Sequence, residues 1–227
     1  MRTSRENPKS SRKYYPLLLD LASRRVVVIG GGRVAERKVR GLAASISPGR
    51  AEVRVVSPTI TPGLRRLAAT GLIRHIHRRW RLADLRGAWL VYAATDDRVV
   101  NHEIAVRARA GGCLVNAVNT PEEGNVLVPA VMRRGDLVIA ISTGGVSPAL
   151  ARTLRRELTR QFGAEYQAFL ALLGQARRLL GEKVRSEARR RLLLRRLVES
   201  NVLALLRRGE MTRAVRLARQ VTGLRTL

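Results

Sequence analysis

RRVVVIGGGRVAERKVRGLAA, residues 24–44, decides the fold. It opens with a short β-branched apolar run, stops at three glycines, and resumes over 34–44 with the apolar spacing of a helix. Within it, Gly30-Gly31-Gly32-Arg33-Val34-Ala35 matches G-x-G-x-x-G/A, set after a strand and at the start of a helix. Small residues are needed there because the chain turns sharply, its backbone must approach a pyrophosphate, and the helix must pack closely on the sheet. The start of that helix offers free N–H groups and partial positive charge to the phosphates. The context favours a dinucleotide site over a purely structural glycine turn.

Outward from this stretch the alternation continues. AEVRVVSP (51–58) reads as a strand closed by Ser-Pro, and TPGLRRLAATG (61–71) as a helix with Pro near its start and Gly at its end. LIRHIH (72–77) and AWLVYAAT (88–95) read as strands, VVNHEIAVRARAGG (99–112) as a helix, and CLVNAV (113–118) as the next strand. Strands alternating with helices give βαβ units, hence an α/β domain with a Rossmann-like, doubly wound parallel sheet. An acid that grips the adenosine ribose belongs at the end of the second strand. Ser57-Pro58 stands there instead. Ser57 can still bond a ribose hydroxyl, while Arg33 or Arg54 can attract a 2′-phosphate, so these residues leave NAD and NADP open.

After residue 119 the rhythm changes. NVLVPAVMRRGDLVIAIST (125–143) holds two strand-like runs joined by RRGD, most simply an antiparallel pair. From SPALARTLRRELTRQF (147–162) onward nearly everything has helical periodicity, with Ser147-Pro148 reading as an N-cap followed by Pro at the first helical position. The expected division is a flexible basic N-terminus (1–13), a dinucleotide-binding domain (14–118), a strand insert (119–146) and a helical C-terminal region (147–227).

The 44 Lys+Arg against 17 Asp+Glu give a net charge of +27, nearly all of it arginine. Such a field attracts polyanions. Aromatic residues make up only 4%, and the excess is divided almost equally between the first 150 residues and the rest. That pattern argues against a dedicated nucleic-acid groove and for no specific nucleic-acid partner. No apolar run approaches the roughly 18–20 residues that cross a bilayer, and MRTSRENPKSSRKYY has no apolar signal core, so a soluble, cytoplasmic protein is expected. Cys113 is the single cysteine, which excludes an intrachain disulfide; it reads as a small core side chain.

Several segments in order, YYPLLLDLASRRVVVIGGGRVAERKVRGL, VVSPTITPGL, YAATDDRVVN, VNAVNTPEEGNVLVPAV and AISTGGVSPALARTLRREL, resemble the precorrin-2 dehydrogenases of sirohaem biosynthesis. That group includes the N-terminal half of sirohaem synthase, and the resemblance covers roughly residues 14–162. It implies NAD-dependent oxidation of precorrin-2 to sirohydrochlorin, coupled in some members to iron insertion by the same protein, a sirohydrochlorin ferrochelatase activity. It also implies a homodimer interlocked through the strand insert. The residues after position 150 are too few for the methyltransferase half. Precorrin-2 carries eight carboxylates, so an Arg-rich chain suits its capture.

The resemblance assigns cofactor contacts to the glycine turn with Arg33, Val34, Ser57 and Pro58, and puts Thr95 and Asp96 at the carboxyl edge of the sheet. TDD reads equally well as an N-cap for the helix that follows. Ser142 matches a serine that can be phosphorylated in sirohaem synthase; it can also simply end a strand. The family's presumed catalytic aspartate corresponds to Asn119, and an amide cannot take up a proton. Either Asn119 only orients the macrocycle, or Glu122, Glu123 or Asp96 acts instead, or iron insertion is lost while dehydrogenation stays. His75 and His77 share a strand face flanked by arginines and read as solvated rather than metal-binding; His102 reads as surface or cleft edge. No metal site is expected. Two other functions remain in view: a non-catalytic module sensing NAD(H), and an Arg-rich nucleic-acid binder.

Overall fold

The computed structural model describes residues 13–46, 49–118 and 120–227. The expected N-terminal segment therefore lies almost wholly outside the described residues, and so does Asn119. The chain forms two compact units. One runs to Val128 and includes Gly144–Val146; the other holds Pro129–Thr143 and Ser147–Leu227.

The first unit alternates β1 (Arg25–Ile29), α1 (Arg33–Ala43), β2 (Glu52–Val56), α2 (Pro62–Ala69), β3 (Arg74–Ile76), β4 (Leu90–Ala93), α3 (Arg98–Ala110) and β5 (Leu114–Ala117). All strand pairs are parallel, in the order β3-β2-β1-β4-β5. The order reverses between β1 and β4, which is where an open α/β sheet binds its ligand. The apolar runs are continuous because both faces are covered. Val26 and Val28 join the core beneath α1 and α2, while Val27 and Ile29 pack with Ile104, Ala105 and Ala108 of α3. Cys113 is buried in that second core, where desolvation raises its thiol pKa.

The helix ends follow the sequence signals. Thr61 caps α2 by accepting from the Leu64 N–H at 3.2 Å, with Pro62 next. Asp97 caps α3 through Val99 and Val100 N–H groups at 2.8 and 3.2 Å. Those groups would otherwise lack partners.

In the second unit β6 (Ala130–Arg134) and β7 (Leu137–Ile141) form an antiparallel pair, followed by α4 (Pro148–Gln161), α5 (Glu165–Lys183), α6 (Glu187–Glu199), α7 (Val202–Arg207) and α8 (Met211–Thr222). Ser147 caps α4 through the Leu150 N–H at 3.2 Å. Phe169, Leu172, Ala176 and Leu180, spaced along one face of α5, close a helical core with Leu197, Val202, Leu206, Ala214 and Ala218.

One strand reading needs correction. The apolar run that opens at Asn125 enters a sheet only from Ala130. Pro129 has no N–H, and the Asn125 and Val126 N–H groups both go to the Val115 carbonyl at 3.0 Å, so no ladder propagates.

Candidate active site

The three glycines meet three different constraints. Gly30 takes φ +123°, and a Cβ there would lie 2.2 Å from the Ala94 carbonyl oxygen and 3.0 Å from the Thr95 nitrogen. The β1 turn thus rests on the carboxyl end of β4. A Cβ on Gly31 would lie 1.8 Å from the Thr59 carbonyl oxygen and 2.7 Å from Ser57 Oγ. Gly32, the N-cap of α1, would place its Cβ in open space, and no side chain among the described residues caps the helix.

Among the backbone bonds, the first intrahelical one runs from Glu36 N–H to Gly32 C=O at 3.0 Å, which leaves the amides of Arg33, Val34 and Ala35 without helical partners. An open approach beside uncapped amides at the positive end of a helix dipole fits a dinucleotide pyrophosphate. The one acid in the first turn, Glu36, is already engaged. Thr61 and then Arg40 hold its carboxyl below the usual range. It therefore offers little competition for a phosphate.

Ser57 is buried, its hydroxyl beside Gly31, while Pro58 is exposed. The Ser57 carbonyl receives a 2.9 Å hydrogen bond from His75 Nε2, and the His75 and His77 rings stack at 5.5 Å. His75 thus braces the β2 turn instead of lying wholly in solvent.

Thr95 and Asp96 follow β4. The Thr95 hydroxyl donates toward Asn101 Oδ1 at 2.8 Å or the Asp97 carbonyl at 3.0 Å, its N–H donates to Asn101 Oδ1 at 3.0 Å, and Asn101 Nδ2 returns a bond to its carbonyl at 2.8 Å. Asn101 is fully buried, so this reciprocal pair fixes the strand-to-helix turn. Asp96 is exposed, and the capping role in TDD belongs to Asp97. Gly30, Gly31, Gly32, Arg33, Val34, Ser57, Pro58, Thr95 and Asp96 all stand at the carboxyl edge of one sheet. Ser142 follows β7 in the second unit and is exposed.

Sequence reading missed two features. Asn101 stands in the quoted AATDDRVVN stretch, but nothing in spacing marks its bond six residues back. Lys38, in the second turn of α1, lies over the Tyr92 ring at 5.8 Å. Burial, with Arg37 nearby, lowers its pKa to about 8, and burial pushes the Tyr92 phenol up to about 12. Beside Tyr92 in register, Asn116 donates to the Val126 carbonyl at 2.9 Å, while its buried Oδ1 has no partner among the described residues.

Glu123, in the turn Pro121–Glu123, is not a free carboxylate. It accepts from Thr120 Oγ1 at 2.6 Å and lies 2.8 Å from His102 Nδ1. Glu122 is exposed.

A family model described as putative NAD(P)-binding matches residues 17–130, and one described as sirohaem biosynthesis protein central matches residues 134–161. Siroheme synthase 1 of Aeromonas salmonicida is 36% identical over 206 residues, covering 90% of this chain and 43% of that protein. The precorrin-2 dehydrogenase of Methanosarcina barkeri is 33% identical over 200 residues, covering 85% of this chain and 86% of that one. A solved structure, SirC, precorrin-2 dehydrogenase, matches with a TM-score of 0.74 at 27% identity, over 91% of this chain and 100% of that chain. The chain spans less than half the length of the sirohaem synthase but most of the shorter dehydrogenase. The parallel sheet, the strand pair and the helical unit match the fold of the SirC structure, and the chain belongs to the precorrin-2 dehydrogenase family.

Proposed function

We propose that this chain is an NAD-dependent precorrin-2 dehydrogenase that oxidises precorrin-2 to sirohydrochlorin in sirohaem biosynthesis. The observation that carries this reading is the open Gly32 approach at the uncapped start of α1, in a chain 33% identical to a precorrin-2 dehydrogenase over 86% of that protein. Bound NAD⁺ supplies the hydride acceptor. The chain supplies the pyrophosphate cradle, through Gly30, Gly31 and Gly32 with the Arg33 and Val34 amides. Ser57 and Pro58 line the adenosine side, and Thr95 and Asp96 shape the approach above β4.

Asn119 orients the macrocycle by hydrogen bonding, because its amide takes up no proton. Iron insertion, which the family couples to a carboxylate at that position, is weak or lost. Ser142 adds a hydroxyl from the strand insert. The four-part division of the chain, a homodimer joined through residues 119–146, and a cytoplasmic location with access to the NAD pool belong to the same reading.

Incubation with precorrin-2 and NAD⁺ should give the sirohydrochlorin chromophore. No absorbance change beside a competent control dehydrogenase would sink the assignment. Asn119→Asp should raise iron insertion more than oxidation; equal effects, or none, would count against that division of roles.

A further inference from the structure

Oxidation by hydride transfer leaves a proton to be taken up, and at physiological pH a carboxamide at position 119 cannot take it. The residue that follows, Thr120, donates its hydroxyl to Glu123 Oε2 at 2.6 Å, and Glu123 Oε1 lies 2.8 Å from Nδ1 of His102. The turn is tied to α3 a second time, by Arg109, which donates to the Glu123 carbonyl at 3.3 Å. Thr120 first, and then His102, hold the Glu123 carboxyl below the usual carboxylate range. Glu123 thus stays anionic and accepts from Nδ1–H. That sets the tautomer of the neutral ring, with its lone pair on Nε2. Among the described residues Nε2 has no partner, and the His102 side chain is 59% exposed against 23% for Glu123.

The place in the fold is equally specific. α3 leaves the carboxyl end of β4, and the Thr120–Glu123 turn leaves that of β5. A dinucleotide held by its pyrophosphate at the α1 turn would lie across the crevice where the strand order reverses between β1 and β4. His102, in the first turns of the helix that follows β4, stands on the far side of that crevice from α1.

We propose that His102 is the proton acceptor of the dehydrogenation and Glu123 its positioning residue, in place of the carboxylate that the family resemblance expects at position 119. This rests on the dehydrogenase reading above. Precorrin-2 loses two hydrogens: one C–H bond breaks with its electron pair, which leaves as hydride to oxidised NAD, and a proton leaves the macrocycle to His102 Nε2. The electrons left by that proton form the new double bond, and the imidazolium then returns its proton to solvent. The products are sirohydrochlorin, NADH and H⁺.

The charged groups on the elements packed against the ring are Glu122 and Glu123 of the turn and, on α3, Arg98, Glu103, Arg107 and Arg109. Glu103 is already paired with Arg107 at 3.0 Å.

The test is kcat for precorrin-2 oxidation between pH 6 and 9 in wild type, His102→Gln and Glu123→Gln, with NADH affinity and thermal midpoint as controls for folding. Wild-type kcat should fall toward acid pH as the ring protonates. His102→Gln should lose about 100-fold at pH 8, in line with general base catalysis, and lose the acid limb, with NADH affinity unchanged. Glu123→Gln should lower kcat with the KM for precorrin-2 and the NADH affinity unchanged, because a carboxamide no longer fixes the proton on Nδ1. Wild-type kcat and the same acid limb in His102→Gln would overturn the inference and leave the dehydrogenase reading standing. A wild-type protein that makes no sirohydrochlorin beside a competent control would instead overturn that reading, and this inference with it.

Discussion

Asn125 completes the hydrogen bonding of Val115 from outside the sheet. Its Oδ1 accepts from the Val115 N–H at 2.6 Å, its Nδ2 donates to the Cys113 carbonyl at 3.2 Å, and its own N–H returns to the Val115 carbonyl at 3.0 Å. One side chain does for the edge of β5 what another strand would do. Asn125→Ala leaves the Val115 N–H without its acceptor and should lower the unfolding free energy by about 1–3 kcal/mol in urea titrations. Asn125→Asp keeps that acceptor, loses the donor to Cys113, and should fall between wild type and Ala.

Gly31 and Gly32 should separate folding from binding. Gly31→Ala drives a Cβ to 1.8 Å from a backbone carbonyl oxygen that cannot step aside, so the thermal midpoint should drop by several degrees. Gly32→Ala meets no atom within 4 Å and should leave the midpoint nearly unchanged while weakening NADH binding about tenfold or more. Calorimetric titration beside a thermal melt reads both. Loss of binding without loss of stability at position 32 is the expected signature.

Asp84 should set part of the acid sensitivity. It is buried and accepts from both Arg78 terminal nitrogens at 2.8 and 2.6 Å and from the Arg81 N–H at 2.7 Å. Arg78 above all holds its carboxyl below the usual range. The native state therefore binds this proton less readily than the unfolded chain. The stabilisation is full above the ordinary aspartate value of about 3.9 and is lost as pH falls through the lower native value. Asp84→Asn should cost about 1–3 kcal/mol at pH 7, by weakening the bonds of a buried carboxylate to Arg78 and to the Arg81 N–H, and should flatten stability below pH 4 relative to wild type.

Lys38 predicts the opposite limb. Its native pKa is about 8 against an ordinary 10.5, so the unfolded chain binds the proton more readily between those values. Stability should then rise as pH climbs through that window, until Tyr92, held at about 12 in the fold, begins to favour the unfolded state by ionising there above about 10. Lys38→Met should raise the thermal midpoint at pH 7 and remove the rise. A lower midpoint at pH 7 would mean that the contact with the Tyr92 ring outweighs the desolvation of the charge.

The sheet and the glycine turn were legible because period and punctuation carried them. RVVVIGGG can hardly be anything but a buried strand meeting a tight turn, and Ser147-Pro148 and Thr61-Pro62 announce helix starts by their chemistry. The roles within the site were less legible. The place of Thr95 at the carboxyl edge of the sheet follows from the end of β4, but its bonds to Asn101 do not, because that partner is set by tertiary packing. NVLV was read as a strand from composition, but Pro129 and the attachment of Asn125 to β5 keep it out of any ladder. Glu123 and His102 were weighed separately, since only the fold brings residues 21 apart to 2.8 Å. The partial burial of Lys38 depends likewise on Tyr92, far along the chain.

The margins of the five-stranded sheet have a further consequence. An open sheet invites other chains to add strands at its edges. Here β3 is three residues long and begins with Arg74, while β5 has its outward-facing Val115 groups occupied by Asn125 and Val126. A Cβ at Gly124 would stand 2.7 Å from the Val115 carbonyl oxygen, so the covering segment lies directly against the strand. One margin is too short and too basic to template a neighbour, and the other is already sealed. The same asparagine that orders the turn after β5 also guards this domain against edge-to-edge aggregation.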